Sequence, residues 1–317
     1  MLAVLGLMGF ALGALLLGDS PAAQDDDDSL PEDQSDSPAA AMTSLSDMLE
    51  ASDEVEDEIP PDDDDSTVLD DLAVIEAQIR SLGDQLATSD ANTINFADDA
   101  DNVIATGAGN DYLDGRDGDD ILFGGAGNDV LHGGRGDDLL VGGDGDDEVY
   151  GHVGNDILFG GDGNDDLVGG DGDDILFGGA GNDSLMGSYG NNMLFGGSGA
   201  DTILGGPGND VVIDRDDLDL DYLNGGAGDD YLSGGPGDHL NGGPGVDIFN
   251  IRTGMSVTLH DFNPDEDVIE IEHEGERPTL TTGLAEDGTL LLANGQVIAK
   301  LVNFAEPDLA AVTYLRV

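Results

Sequence analysis

GRDGDDILF (115–123), GGAGNDVLH (124–132), GGRGDDLLV (133–141), GGDGDDEVY (142–150), GHVGNDILF (151–159), GGDGNDDLV (160–168), GGDGDDILF (169–177) and GGAGNDSLM (178–186) follow one another in a single register. The register continues almost unbroken from Thr106 to Ile213, with the consensus G-G-x-G-[ND]-D-x-L-x. Self-similarity at a fixed period decides the architecture before any single element is assigned: each unit stacks on its neighbours as a solenoid. Positions 1, 2 and 4 are mostly Gly. A chain that reverses every few residues needs φ > 0, which only Gly adopts without penalty. Position 8 is almost always Leu, Ile or Val, from Leu113 to Val212. Side chains alternate faces along a strand, so position 8 points inward while positions 7 and 9 point outward. Two repeats then make one coil of 18 residues.

Position 6 carries the chemistry. It is Asp at Asp111, Asp120, Asp129, Asp138, Asp147, Asp156, Asp165, Asp174, Asp183, Asp201 and Asp210, and Asn at Asn102 and Asn192. Carboxylates and glycine-turn carbonyls are hard oxygen ligands of the kind calcium takes in sets of six to eight. Zinc would want His or Cys, and the chain has no Cys and five scattered His. Strict register and the apolar column argue against a disordered acidic linker.

The pattern resembles the RTX (repeats-in-toxin, haemolysin-type) calcium-binding repeat, G-G-x-G-x-D-x-U-x, over roughly Ala97 to Asn250. The resemblance implies a parallel β-roll with multiple calcium ions, about one per repeat, held between turns along its edges. It places Asp111, Asp129, Asp147, Asp165, Asp183 and Asp201 in one row. Asp120, Asp138, Asp156, Asp174 and Asp210 fall in the other, with Asn192 a weak site. The array breaks at Asp214–Asn224 (DRDDLDLDYLN), a loop or bulge, and resumes as GGAGDDYLS, GGPGDHLN and GGPGVDIFN. Metal positions are accordingly extended to Asp230 and Asp247, with Asp238 in the shortened unit. Position 2 departs from Gly at Arg116, His152 and Ser188, 36 residues apart, which suggests growth by duplication of a four-repeat block.

The expected fold is all-β: a parallel β-roll solenoid of nonapeptide repeats (88–250) with a C-terminal β cap (251–317) able to carry an export signal. A short amphipathic helix (67–87) and a disordered acidic tether (19–66) precede it. In the helix, Val68, Leu72, Ile75, Ile79, Leu82 and Leu86 share one face at alternating four- and three-residue spacing. It reads as a lid on the first coil or as a short oligomerisation coil. Met1–Gly18 is an uncharged apolar run, short for a span, and no Lys or Arg precedes Arg80. Membrane anchor and signal peptide both remain open. In the C-terminal region, TLLLANGQVIAKL reads as a hairpin turning at Asn294-Gly295.

Seventy acidic against eight basic residues give a formal charge of −62. Such a chain repels itself and cannot bind nucleic acid by phosphate neutralisation. Without calcium the roll is expected to be unfolded or molten. At ten times its Kd each calcium adds about 1.4 kcal/mol by mass action, so binding and folding become one event. Extracellular calcium modules have Kd of about 10⁻⁴ to 10⁻³ M, which places folding outside the cell or at its surface.

The two sheets of the roll differ. One carries Ile121/Phe123, Leu139/Val141, Ile157/Phe159, Ile175/Phe177, Met193/Phe195 and Val211/Ile213 at positions 7 and 9, an apolar ladder. Such a patch normally marks an interface, with a second copy, the 67–86 helix or the C-terminal cap as the occupant. It could also be nothing more than good β-formers. A homo-oligomer, an adhesin or another partner-binding module would use Ile121, Phe123, Ile157, Phe159, Ile175, Phe177 and Phe195. No H-E-x-x-H or G-x-S-x-G motif is present, and the segments outside the roll are too short for a catalytic domain. The expectation is a calcium-binding structural or surface protein, not an enzyme.

Overall fold

The computed structural model describes residues 83, 87, 91–215, 217–304 and 311–316. The chain divides into two units, Met1–Asp63 and Asp64–Val317, and every described residue belongs to the second. The apolar segment 1–18 and the acidic tether 19–66 lie outside the described residues. Of the helix expected over 67–87, only Gly83 and Ala87 are described. Gly83 is helical and its carbonyl accepts the Ala87 N–H at 2.9 Å. Among the described residues no helix is long and apolar enough to cross a membrane.

As far as Val268–His273, consecutive strands alternate between two sheets, one of 13 strands and one of 11. Ile121–Ala126 belongs to the smaller sheet, Val130–Arg135 to the larger, and Leu139–Asp144 to the smaller again. Within the roll, neighbours in a sheet are parallel and one coil apart, as in Leu122↔Leu140 and Leu140↔Leu158, whereas Leu280–Ala285, Gly288–Ala293 and Gln296–Val302 at the end of the larger sheet pair antiparallel. The fold is an all-β parallel β-roll, as the 18-residue coil requires.

The core is one column of position-8 side chains between the sheets. Leu122, Leu131, Leu140, Val149, Leu158, Leu167 and Leu176 are completely buried. Each contributes about 1.5–3 kcal/mol over its exposed state, and the column sets the spacing between the sheets. It continues through the resumed repeats at Leu232, Leu240 and Phe249 and beyond them through Ile251, Leu259, Ile269 and Leu301. The hairpin at Asn294-Gly295 forms, with Ala293 opposite Gln296 and both turn residues at positive φ (52° and 83°). That is the backbone a two-residue primed turn demands.

The glycines divide by cause. Positions 2 and 4 lie in the left-handed region, for example Gly125 (φ 110°) and Gly127 (φ 126°). Position 1, for example Gly124, does not, which corrects the expectation that all three serve φ > 0. It is Gly because a Cβ there would run into the Asp129 carboxylate and the Gly142 carbonyl. The three departures at position 2 hold the same left-handed turn without Gly: Arg116 at 76°, His152 at 79° and Ser188 at 75°.

The apolar ladder points away from the column, as alternation requires, but it is not exposed. Phe123, Val141, Ile157, Phe159, Ile175 and Phe177 are all buried, Phe159 to 1% exposure, while Ile121 and Phe195 are half-buried. Phe159, Phe177 and Phe195 stack at centroid distances of 4.8 and 4.9 Å. Gly83 lies directly over Phe123, so close that a Cβ on it would fall 2.6 Å from the ring. Gly83 and Ala87 line one groove together with Phe123 and Val141. Of the occupants expected for this face, the 67–86 segment is the one with a described residue against it, Gly83 over Phe123. The equivalent positions on the other sheet, Glu148, Asp166, Ser184 and Thr202, are exposed.

Candidate metal centre

Each turn ends in its position-6 Asp, and the strand that follows fixes that residue against the neighbouring coil. Its backbone N–H donates to Oδ1 of the Asp one coil later. The bonds run Asp111 to Asp129 (2.7 Å), Asp129 to Asp147 (2.7 Å), Asp147 to Asp165 (2.8 Å), Asp165 to Asp183 (2.8 Å) and Asp183 to Asp201 (2.7 Å). The second row runs from Asp120 to Asp138 (2.8 Å), Asp156 (2.9 Å) and Asp174 (2.9 Å). The two rows of the sequence reading are therefore two carboxylate ladders.

One carboxylate oxygen per Asp is used in the ladder. The other, Oδ2, is buried without a hydrogen-bond partner at Asp111, Asp120, Asp129, Asp138, Asp147, Asp156, Asp174, Asp183, Asp201, Asp210, Asp230 and Asp247. Leaving so many polar atoms unmatched in a native interior is rare and costly. Except at Asp111, whose repeat has Thr106 at position 1, each of these oxygens faces the bare Cα of the position-1 glycine in its own turn. Around Gly124 the neighbours are Asp129 Oδ2 and the Gly142 carbonyl; around Gly151 they are Asp156 Oδ2 and the Gly169 carbonyl. The cradle that a Cβ would fill is thus lined by carboxylate and carbonyl oxygen. This donor set fits calcium and offers nothing to a soft metal.

Burial sets the electrostatics. Desolvation pushes Asp138 and Asp147 up to about 8, and Asp156, Asp174, Asp183 and Asp230 up to about 7. The ladder N–H opposes this in each case, and neighbouring carboxylates add to it. Asp129, Asp201 and Asp247 rise to about 6, again mainly by burial. These are carboxylates held in places where a negative charge needs a partner.

Asn192 shows what the ladder needs and what a cradle loses. Its Oδ1 accepts the Asp174 N–H at 3.0 Å, so the ladder is intact. Its Nδ2 then stands at the Gly187 cradle, where other coils place an oxygen. An amide N–H₂ cannot ligate a cation, so this cradle lacks its anionic donor.

The ladders extend past the break. The Asp201 N–H donates to Asp221 and the Asp221 N–H to Asp238; Asp210 donates to Asp230, Asp230 to Asp247 and Asp247 to Asp267. Asp221 and Asp267 were not singled out from the sequence. The signal at Asp221 was present: DYLNGG has the Asp, the Leu two residues later and the glycine pair. It was hidden because Asp221 follows Asp201 by 20 residues instead of 18.

The model of the RTX calcium-binding nonapeptide repeat (four copies) matches residues 96–131, 123–158, 132–167, 150–185, 177–212 and 219–238. No curated protein matches the chain. Among solved structures, the extracellular lipase LipA from Serratia marcescens is similar at 19% identity, over 62% of this chain and 40% of the lipase, with a TM-score of 0.19. The match thus spans less than half of that protein, and so loose a likeness carries no argument about activity. The family match coincides with the carboxylate ladders and their glycine cradles: residues 96–238 are a run of RTX calcium-binding nonapeptide repeats.

Proposed function

We propose that this chain is a calcium-folded structural roll that works outside the cell or at its surface. The observation that carries this is the double column of buried carboxylate oxygens without partners, joined in many coils, such as those of Asp129 and Asp156, by a glycine carbonyl. A cation in each cradle would satisfy both oxygens and offset part of the −62 charge. Asp111, Asp120, Asp129, Asp138, Asp147, Asp156, Asp165, Asp174, Asp183, Asp201, Asp210, Asp230 and Asp247 would each supply one ligand, giving close to one calcium per repeat. Asn192 marks a gap. Cytosolic free calcium lies far below the Kd of about 10⁻⁴ to 10⁻³ M typical of extracellular modules, so the roll would close only after export. Met1–Gly18 would serve as anchor or leader, and nothing in this reading requires catalysis.

The segment 67–87 would cover the apolar ladder in cis. Gly83 over Phe123 and the burial of Phe159 and Phe177 support this cover. A helix of some 20 residues is about 30 Å long, and a ladder six strands wide is about 25–30 Å. An adhesive or self-associating role for the same sheet would first require that cover to leave.

Isothermal titration of the full chain with calcium tests the main reading. It should give a stoichiometry near the number of cradles, with magnesium inert. A stoichiometry of one or two, or equal response to magnesium, would sink it.

A further inference from the structure

We propose that Asp214, with Asp201 and Asp221, forms a divalent cation site of a different class from the regular cradles, and that it is the first to fill. This rests on the calcium reading above and goes beyond it, because the repeat consensus has no residue with this role.

The register shows what is unusual. Phe195 pairs with Ile213, which sets Asp214 opposite Gly196, and Asp214 pairs in turn with Gly234. Asp214 therefore occupies position 1, the place left open by glycine in the regular coils. At Gly196 the missing Cβ would meet Asp214 Oδ2 and Asp201 Oδ2, so two carboxylates converge where a regular cradle has one. Asp201, Asp214 and Asp221 each bring an oxygen within 4.8 Å of the others, and all three are buried.

Asp214 itself is the independent observation. Its side chain is 3% exposed, and neither of its oxygens has a hydrogen-bond partner. The ladder commits Asp201 Oδ1 to the Asp183 N–H and Asp221 Oδ1 to the Asp201 N–H. Asp214 accepts no ladder N–H, and one of its carboxylate oxygens lies within 4.8 Å of an oxygen of each of the other two. Neighbouring Arg215 sends its guanidinium to Glu272 (3.3 Å) and Ser233 (3.4 Å). Three buried like charges at this spacing repel strongly unless a cation lies among them. Oxygen-ligand sites gain calcium affinity with the number of charged ligands. The break in the repeat, a coil of 20 residues, is on this view what makes room for the third carboxylate.

The test is a calcium titration of the full chain and of D214N, D214G and D120N, followed by calorimetry and by far-UV circular dichroism. D214N keeps the shape and removes the charge. D214G restores the consensus glycine and keeps the variant series interpretable should D214N fold poorly. Wild type should show one equivalent at least about tenfold tighter than the rest. Both Asp214 variants should lose that equivalent and fold at higher calcium. D120N should lose one weak equivalent and keep the tight one. If the wild type has no tight class, or if both Asp214 variants keep it, the proposal is overturned. If D214N and D214G fold better in chelator with an unchanged isotherm, Asp214 is a buried neutral carboxyl and the proposal again fails. A wild type that binds no calcium at all would overturn the broader reading instead, a distinguishable result.

Discussion

Position 1 glycine and position 6 aspartate form one unit, because each leaves the space that the other uses. Gly124 is not in the left-handed region, so Ala is conformationally allowed there, and its Cβ would meet Asp129 Oδ2 and the Gly142 carbonyl. Gly124→Ala should therefore abolish one calcium equivalent and destabilise the calcium-bound roll by about 1–3 kcal/mol; calorimetry counts the equivalent and thermal unfolding measures the cost. Protonation gives a second expectation. An unfolded Asp titrates near 3.8, whereas folded, metal-free Asp138 and Asp147 titrate near 8 and Asp156 and Asp174 near 7, mainly because burial disfavours the charge. A raised folded pKa means stability fully present below the unfolded value and lost as pH rises through the folded one. In chelator, β content should grow on acidification from about pH 8 to pH 4.5. Calcium added near pH 7 should release protons, measurable as a dependence of the binding heat on the buffer's ionisation enthalpy. No change with pH in chelator would contradict this picture of the carboxylates. Position 2 yields a third expectation. Arg116, His152 and Ser188 sit at φ 76°, 79° and 75°, where an L side chain costs about 1–2 kcal/mol. After the larger unfolded-state entropy of Gly is subtracted, His152→Gly should stabilise the roll by about 0.5–1 kcal/mol in thermal unfolding.

Strands of the 11-stranded sheet carry two apolar faces for different purposes, and the sequence showed only one of them completely. The inward column was legible from position 8 alone, because a period of nine with one invariant apolar place leaves no other register. Leu158→Ala should cost about 2–5 kcal/mol, since its site is closed between two sheets and cannot collapse. The outward ladder was legible as apolar, but the residues themselves do not say whether a face is covered. Burial of Phe159 and Phe177 and the approach of Gly83 to Phe123 supply that. Phe159→Thr should then destabilise the monomer, where an open interface would show only weaker self-association. Sedimentation alongside thermal unfolding separates the two. Asp221 and Asp267 escaped the sequence reading for a related reason: a coil of 20 residues preserves the ladder while breaking the count. Hydrogen bonding between coils, not spacing along the chain, defines the row.

For the molecule as a whole, one sequence pattern specifies both the solenoid and its need for cations. The same aspartates that link coil to coil through Oδ1 present unmatched Oδ2 atoms to the glycine turns. The fold therefore accumulates buried negative charge with every coil added, on a chain already at −62. Apolar burial along a single column of side chains works against that repulsion, and calcium would tip the balance. The measurement to make is far-UV circular dichroism of the full chain at neutral pH, titrated from chelator to about 10 mM calcium, with magnesium as control. A cooperative, calcium-specific transition from coil to β structure is the predicted result. A chain already β-rich in chelator and unmoved by calcium would contradict the account.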